Sequence, residues 1–354
     1  MITTVRDAGP YLGPAFESIA AQSFRDWEWV VADDGSRDGS GAALGEWARR
    51  DGRIQLRDAA SSAGSSMIAL VNDALSEARS EFIARMDADD IAAPERFAEQ
   101  IAFLDANPAV DVVDSRVAYL ATGDDAADGR GQGMQLYIDW LNGLADGERG
   151  GGESHDAIAR DFFIESPIAQ PAVMARRAAI AGAGGYRDGD FPEDYDLWLR
   201  LFLAGKRFAK LPGTLVQWRD HAARLTRTHQ RYRLAAFFGI KSAALWTLDG
   251  ERMRRGTTVV WGAGNRGRPW RRFLRQHAVR PAFLVDVDAR KIGRALSGVP
   301  VRELDALVTD PWDTLLVVVG ARGARDLIRA HLADAGLIDS SGAPAPGRRI
   351  RFVQ

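Results

Sequence analysis

The sequence predicts an α/β protein of two successive domains, each built on a mostly parallel sheet with helices packed on it. Three observations carry this reading. Short β-rich runs alternate with helix-length amphipathic runs through the first hundred residues. The character of the chain changes around residues 251–256 (ERMRRG), and a new β-rich run starts directly after it. A length of 354 residues suits two cores better than one.

In chain order, residues 15–22 have the apolar spacing of a helix and residues 27–32 (WEWVVA) form a β-rich run. Residues 42–50 read as a helix, 53–57 as a strand and 67–78 as a helix again. Residues 81–86 are strand-like and end abruptly in acids. Pro94 stands at a first helical position, where its missing N–H costs nothing, and Asn107-Pro108 closes that helix. Residues 121–133 and 146–153 are polar and Gly-rich, and read as surface loops flanking a helix over 134–144. A further helix over 232–248 carries Leu234, Phe237, Phe238, Leu245 and Leu248. It is expected to pack against the first domain, with contact to a membrane surface as the alternative. The domains accordingly read as 1–230, a helical linker over 231–255, and 256–354.

Composition sets the outer limits. At 46% hydrophobic and 27% charged, the chain is of ordinary soluble globular type. A formal net charge of -2 offers no global attraction to nucleic acid or to an anionic membrane. The absence of Cys excludes disulfides, thiolate metal sites and Cys nucleophiles. No apolar run approaches the roughly 20 residues of a membrane helix, and the first residues lack the apolar core of a signal peptide. The expected location is the cytoplasm, with peripheral contact at the inner face of the membrane as the alternative.

Two presumed strands end in acids, Asp33-Asp34-Gly35-Ser36 and Asp87-Ala88-Asp89-Asp90. Ligands of open α/β sheets bind beyond the carboxyl ends of strands, so both clusters can face one crevice. In an extended segment Asp87 and Asp89 share a face and Asp90 turns away. Paired carboxylates suit a hard cation such as Mg²⁺ or Mn²⁺, which binds through one or two carboxylates plus substrate phosphates. The bland alternative is that these acids cap turns and helix starts. A third cluster, Glu193-Asp194-Tyr195-Asp196, leads into an apolar-rich helix ending near Gly205. There a carboxylate can serve as general base, or the acids can simply favour the helix dipole.

The stretch from Tyr11 to Gln100 resembles the family 2 inverting glycosyltransferases of GT-A fold. The resemblance rests on Ser18 to Phe24 (SIAAQSF), Asp33 to Ser40 (DDGSRDGS), Asn72, Phe82 to Asp90 (FIARMDADD), Pro94 and Arg96. It continues through Glu165-Ser166-Pro167, Gly184-Gly185-Tyr186-Arg187, Glu193 to Leu201 (EDYDLWLRL) and Trp218-Arg219-Asp220-His221. What the resemblance implies is a GT-A domain with a mixed, mostly parallel sheet, acting on a nucleotide-sugar donor, a UDP-sugar in the first instance. The acceptor would be a glycan or a lipid-linked sugar. Asp34 would contact the nucleotide base with Asp7 beside it, and Arg85 and Glu193 would help hold the donor. Asp89 would ligate the metal, Asp87 would touch the ribose or the metal, His221 would be a further metal or phosphate contact, and Asp194 would be the catalytic base. One departure is a short first strand, in which Thr4 stands where the family usually has Pro.

In the second domain, residues 259–261 form a strand followed by Gly262-Ala263-Gly264-Asn265-Arg266-Gly267, a G-x-G-x-x-G turn, and a helix over 270–276. The next strand, 283–285, ends in Asp286, at the distance expected of a ribose-binding acid. Residues 315–319 read as a further strand, followed by Gly320-Ala321-Arg322-Gly323. This is a Rossmann-like pattern. It marks Gly262, Gly264, Gly267 and Asp286 as a second nucleotide site for NAD(P) or another nucleotide, or else a scaffold only. Two other functions stay open on this reading. One is an NAD(P)-dependent oxidoreductase or epimerase centred on 262–286, although no Tyr-x-x-x-Lys pair accompanies it. The other is a non-catalytic nucleotide-sugar-binding protein.

Overall fold

The computed structural model describes residues 1–58, 66–122, 131–145, 154–321 and 323–353. Most of the two Gly-rich loops (residues 123–130 and 146–153) and Arg322 lie outside the described residues. The described chain forms two compact units. The first lies within Met1–Gly147, Glu153–Ile158 and Pro167–Phe237, the second within Ala159–Ser166 and Phe238–Gln354.

The first unit opens with β1 (Ile2–Val5), α1 (Leu12–Ala20), β2 (Trp29–Asp33), α2 (Ser40–Arg50), β3 (Ile54–Asp58) and α3 (Met67–Glu77). There follow β4 (Phe82–Ala84), β5 (Ile91–Ala92), α4 (Arg96–Ala106), β6 (Val112–Ala121), α5 (Gln132–Asn142) and α6 (Ser154–Asp161), whose residues from Ala159 on are grouped with the second unit. It closes with β7 (Met174–Arg176), α7 (Arg177–Gly182), α8 (Glu193–Leu203), β8 (Phe208–Asp220) and α9 (Leu225–Thr228). The helices and strands expected in the first hundred residues are present, with ends shifted by a few residues.

Strands β1, β2 and β3 form a parallel sheet in that order. Every residue of β2 is buried, as befits the middle strand of a sheet covered on both faces. The short β1 pairs along its whole length, Ile2 with Val30 through Val5 with Asp33. Trp29 Nε1 donates to Thr3 Oγ1 at 2.9 Å, tying the two strands from the side. The remaining strands form a second sheet in the order β4-β7-β6-β8-β5. A parallel bridge between Ile2 and Arg85 connects the two sheets. In the second sheet only β6 and β8 run parallel; β4–β7, β6–β7 and β5–β8 are antiparallel. The expectation of mostly parallel strands therefore holds for β1–β3 and not here. Strands of two or three residues, such as β4, β5 and β7, offer no periodicity to read.

At the centre of this second sheet a buried ion pair joins β6 to β8. Lys210 Nζ donates to Asp114 Oδ2, which also accepts from the Ala169 N–H at 3.0 Å. Both side chains are fully enclosed. Burial pushes the Asp114 carboxyl up and the Lys210 ammonium down, and each charge holds the other back. Removing one partner strands the other in the core. Lys210→Met is expected to cost about 3–5 kcal/mol in a denaturant titration. The pair Lys210→Met with Asp114→Asn, which keeps an acceptor for Ala169, should recover most of that loss.

In the second unit the helix α10 (Leu234–Arg255) precedes β9 (Thr258–Trp261), α11 (Arg268–Gln276), β10 (Leu284–Val285), β11 (Ala295–Leu296) and β12 (Val299–Arg302). Then come α12 (Ala306–Thr309), β13 (Thr314–Val317), α13 (Ala324–Asp334) and β14 (Arg349–Phe352). The six strands lie in the order β11-β12-β10-β9-β13-β14 and are parallel except for β11 with β12. From Phe238 onward α10 is grouped with this unit, and the buried Lys241 Nζ donates to the Ile164 carbonyl at 2.7 Å. The stretch expected as a linker is thus largely part of the second unit. Among the described residues no helix is long and apolar enough to cross a membrane.

Candidate active site

The acidic segment after β4 is not extended. The strand ends at Ala84, and residues 87–90 fold into a turn in which the Asp90 N–H reaches the Asp87 carbonyl at 3.4 Å. A turn brings positions i and i+3 to one side, whereas a strand would separate them. Asp90 accordingly does not turn away: Asp87, Asp89 and Asp90 each offer a carboxylate oxygen, all within 4.8 Å of one another.

The strand β8 supplies what surrounds this turn. Asp90 Oδ1 accepts the Arg219 N–H at 2.7 Å, and Arg219 Nε donates to the Asp89 carbonyl at 2.6 Å. His221 Nε2 lies 2.8 Å from Asp89 Oδ2. Tyr11 closes this side, with its ring 5.1 Å from that of His221 and the Arg219 guanidinium 4.8 Å above it. Asp90 is fully buried, and its Oδ2 has no hydrogen-bond partner among the described residues. Burial, then the Asp89 and Asp87 charges, push the Asp90 carboxyl well up. Burial and the Asp89 charge likewise push Asp87 up to about 6. Below the turn Arg96, also fully buried, donates to the carbonyls of Arg85 (2.7 Å) and Val173 (3.3 Å). Burial lowers its guanidinium to about 9, against the pull of Asp90 and Asp87.

The second acidic cluster stands at the start of α8. Pro192 precedes the helix in an extended conformation and makes no side-chain cap. Glu193 is anchored by the Tyr232 hydroxyl, which donates to its two oxygens at 2.9 and 3.0 Å, and by Arg231 Nη1 at 3.4 Å. Asp194 Oδ1 accepts the Tyr195 N–H at 2.7 Å. Burial, with the Glu193 charge next and Asp87 contributing, pushes the Asp194 carboxyl up to about 7. Asp87 in turn feels Glu193. Both acidic clusters therefore belong to one electrostatic site. The dipole reading alone does not account for Glu193, whose carboxylate is held in place by Tyr232 and Arg231.

Arg85 is buried, donates Nη1 to the Ile2 carbonyl at 3.0 Å and has its guanidinium 5.7 Å from the Tyr186 ring. Asp7 lies in the loop after β1 at φ 51°, a conformation Asp tolerates better than most residues. Its Oδ1 accepts the Arg37 N–H at 2.7 Å. Asp34 follows β2 and pairs with the exposed Arg6 at 3.2 Å. Asp33, by contrast, ends β2 and its side chain braces the following turn, accepting from Ser36 N–H and Oγ. Tyr232, Arg231 and Arg219 were given no role from the sequence. Arg219 stood inside a quoted motif, while Tyr232 and Arg231 lie about 40 residues from Glu193 with no local pattern linking them.

In the second unit Gly262 adopts φ 123°, and a Cβ on Gly267 would sit 2.5 Å from the Gly262 carbonyl oxygen, so both positions require glycine. Asp286 is not free for a ribose. Its Oδ2 accepts from the Ala263 N–H (2.8 Å) and Lys291 Nζ (3.1 Å), and its Oδ1 from the Asp288 N–H (2.9 Å).

Residues 1–147 match the family described as Glycosyl transferase family 2. The chain is 28% identical over 228 residues to EpsE of Bacillus subtilis (strain 168), covering 63% of this chain and 73% of EpsE. It is 30% identical over 149 residues to the amylovoran biosynthesis glycosyltransferase AmsE of Erwinia amylovora, covering 42% of this chain and 48% of AmsE. It thus spans about half the length of AmsE. Its fold is similar to crystal structures of S. aureus TarS 1-349. One, at 17% identity and TM-score 0.50, covers 70% of this chain and 64% of that one. Another, in complex with UDP-GlcNAc, matches at 16% identity and TM-score 0.50, covering 79% of this chain and 80% of that one. With the acidic turn after β4 and the carboxylates of α8 gathered on a mixed α/β sheet, the first unit has the GT-A fold; the chain is a glycosyltransferase, and it is its residues 1–147 that match family 2.

Proposed function

We propose that the first unit moves a sugar from a nucleoside-diphosphate sugar to a hydroxyl of a glycan or lipid-linked acceptor, with inversion and with a bound Mg²⁺ or Mn²⁺. The observation that carries this reading is the convergence of Asp87, Asp89 and Asp90 beside a half-buried Asp194 whose carboxyl is pushed up to about 7. The donor set fits a hard divalent cation: oxygen ligands within 4.8 Å of each other, one of them a buried orphan, and like charges that a cation would relieve. Asp89 and Asp87 would hold it, with His221 as a further ligand. When bound, the cation neutralises charge gathering on the departing diphosphate.

The residues of the chain do the rest. Asp34 and Asp7, just after β2 and β1, would contact the base. Arg85 and Glu193 hold the donor side, the latter fixed by Tyr232. Asp194 takes the proton of the acceptor hydroxyl as its oxygen bonds to the anomeric carbon, and the carbon–oxygen bond to the diphosphate breaks with its electron pair. A UDP-sugar donor is supported by the TarS complex with UDP-GlcNAc, and a sugar transfer in a biosynthetic route by the likeness to the amylovoran biosynthesis glycosyltransferase AmsE. The reading is tested by thermal shifts of the full chain with a panel of nucleotide sugars and NAD(P), each with and without Mn²⁺. Stabilisation by one nucleotide sugar, present only with Mn²⁺ and followed by sugar transfer, is expected. Stabilisation by NAD(P) alone would end the proposal.

A further inference from the structure

A cavity of about 480 Å³ in the second unit is lined by Arg268, Arg271, Arg272 and Arg275 of α11, together with the turn at Ala263 and Asn265 and with Ser297. None of these four arginines has a carboxylate within ion-pair distance among the described residues. Asp286, the acid that bears on Arg271, is already taken by Lys291 and two backbone N–H groups. Arg271 Nη1 donates to the Gly262 and Gly264 carbonyls at 3.1 and 3.3 Å, which fixes its head at the rim of the turn. Burial and the Arg268 and Arg275 charges lower its guanidinium, so the cluster repels itself and is short of anions. The opposite face of α11 (Trp270, Phe273, Leu274) is buried, leaving no apolar stripe to enter a membrane.

From this geometry we infer that the second unit binds a diphosphate group in this cavity, clasped by the α11 arginines. Residues 268 to 275 span two helical turns, roughly 10 Å at 1.5 Å per residue. That is more than one phosphate fills, and guanidinium forks suit successive phosphate oxygens. The positive end of α11, at the glycine turn, adds to the field. Because Asp286 is occupied, the ligand is recognised through its phosphates and not through a ribose. The diphosphate can come from a soluble nucleotide or from a lipid-linked diphosphate.

The test is calorimetric titration of the full-length protein carrying Asp89→Ala, in EDTA, so that the first unit's metal site is silent. Inorganic pyrophosphate, UDP, farnesyl diphosphate, orthophosphate and sulfate are compared. Pyrophosphate is expected to bind at least tenfold tighter than orthophosphate or sulfate. That binding should weaken at least tenfold in the further variant Arg268→Gln/Arg272→Gln/Arg275→Gln. These three side chains are exposed, so the variant should keep its melting temperature, and Arg271→Gln alone gives a second, single-site check. Tighter binding of UDP or of farnesyl diphosphate than of pyrophosphate supports the inference and identifies the source. Equal binding of pyrophosphate and orthophosphate, or unchanged pyrophosphate binding in both arginine variants, overturns it.

Discussion

Asp194→Asn is expected to lower kcat by about 10²–10⁴-fold, the usual contribution of a positioned general base, while donor affinity stays within a few fold. Asn keeps an oxygen for the Tyr195 N–H that Asp194 Oδ1 accepts, so the start of α8 should hold its shape. The same residue sets the direction of the pH dependence. A base works deprotonated, and the Asp194 carboxyl is pushed up to about 7 by burial and by Glu193. In the wild type kcat/KM should therefore rise with pH across roughly 6–8 and level off above that. Asp194→Asn should lose that limb. A variant that turns over at wild-type rate, or keeps the same acidic limb, would remove Asp194 from the mechanism.

Asp89→Ala is expected to lower transfer by more than about 10²-fold and to abolish the rise in melting temperature that Mn²⁺ gives the wild type. The metal-free protein supplies the control. Raised carboxyl pKa values mean that the charged forms are disfavoured in the fold. Stability tied to them is therefore lost as pH rises through about 6 for Asp87. Taking away the Asp89 charge relieves Asp87 and Asp90. At pH 8 and without metal, the variant should then melt no lower than the wild type, although the bond to His221 is gone. An intact fold that ignores Mn²⁺ is the signature of a lost ligand. A retained Mn²⁺ response would show that the cation sits elsewhere.

The sequence made the layout of the first hundred residues legible because α1 to α4 and β2 to β3 each have enough residues for a period to show. It also marked the acids of the site, since Asp33-Asp34, Asp87 to Asp90 and Glu193-Asp194 interrupt otherwise apolar segments. What it could not give was geometry. The misplacing of Asp90 came from extending the strand rule past Ala84, where a turn had taken over. The antiparallel strands were hidden by their shortness, and the link from Tyr232 to Glu193 by tertiary distance. In the second unit the sequence left the 262–267 turn open between a nucleotide site and a scaffold; the backbone requires glycine at Gly262 and Gly267, and Asp286, offered to a ligand, is already claimed by the fold. Local pattern identifies which residue types cluster, and the partners that exhaust or free them come from elsewhere in the chain.

The hold of β8 on the acidic turn has a consequence for how this protein is made. Arg219 and His221 reach Asp89 and Asp90 across 129 to 132 residues of sequence, and β6 pairs with β8 across 96 to 99 residues. A nascent chain that has emerged only to residue 147, the end of the family match, has β6 with neither of its sheet neighbours. Its three carboxylates have no Arg219 to order them. Such contacts close late, because the loop entropy must be met before they are rewarded. During synthesis on the ribosome the parallel sheet β1–β3 can assemble early, but the active site should appear only once β8 has cleared the exit tunnel.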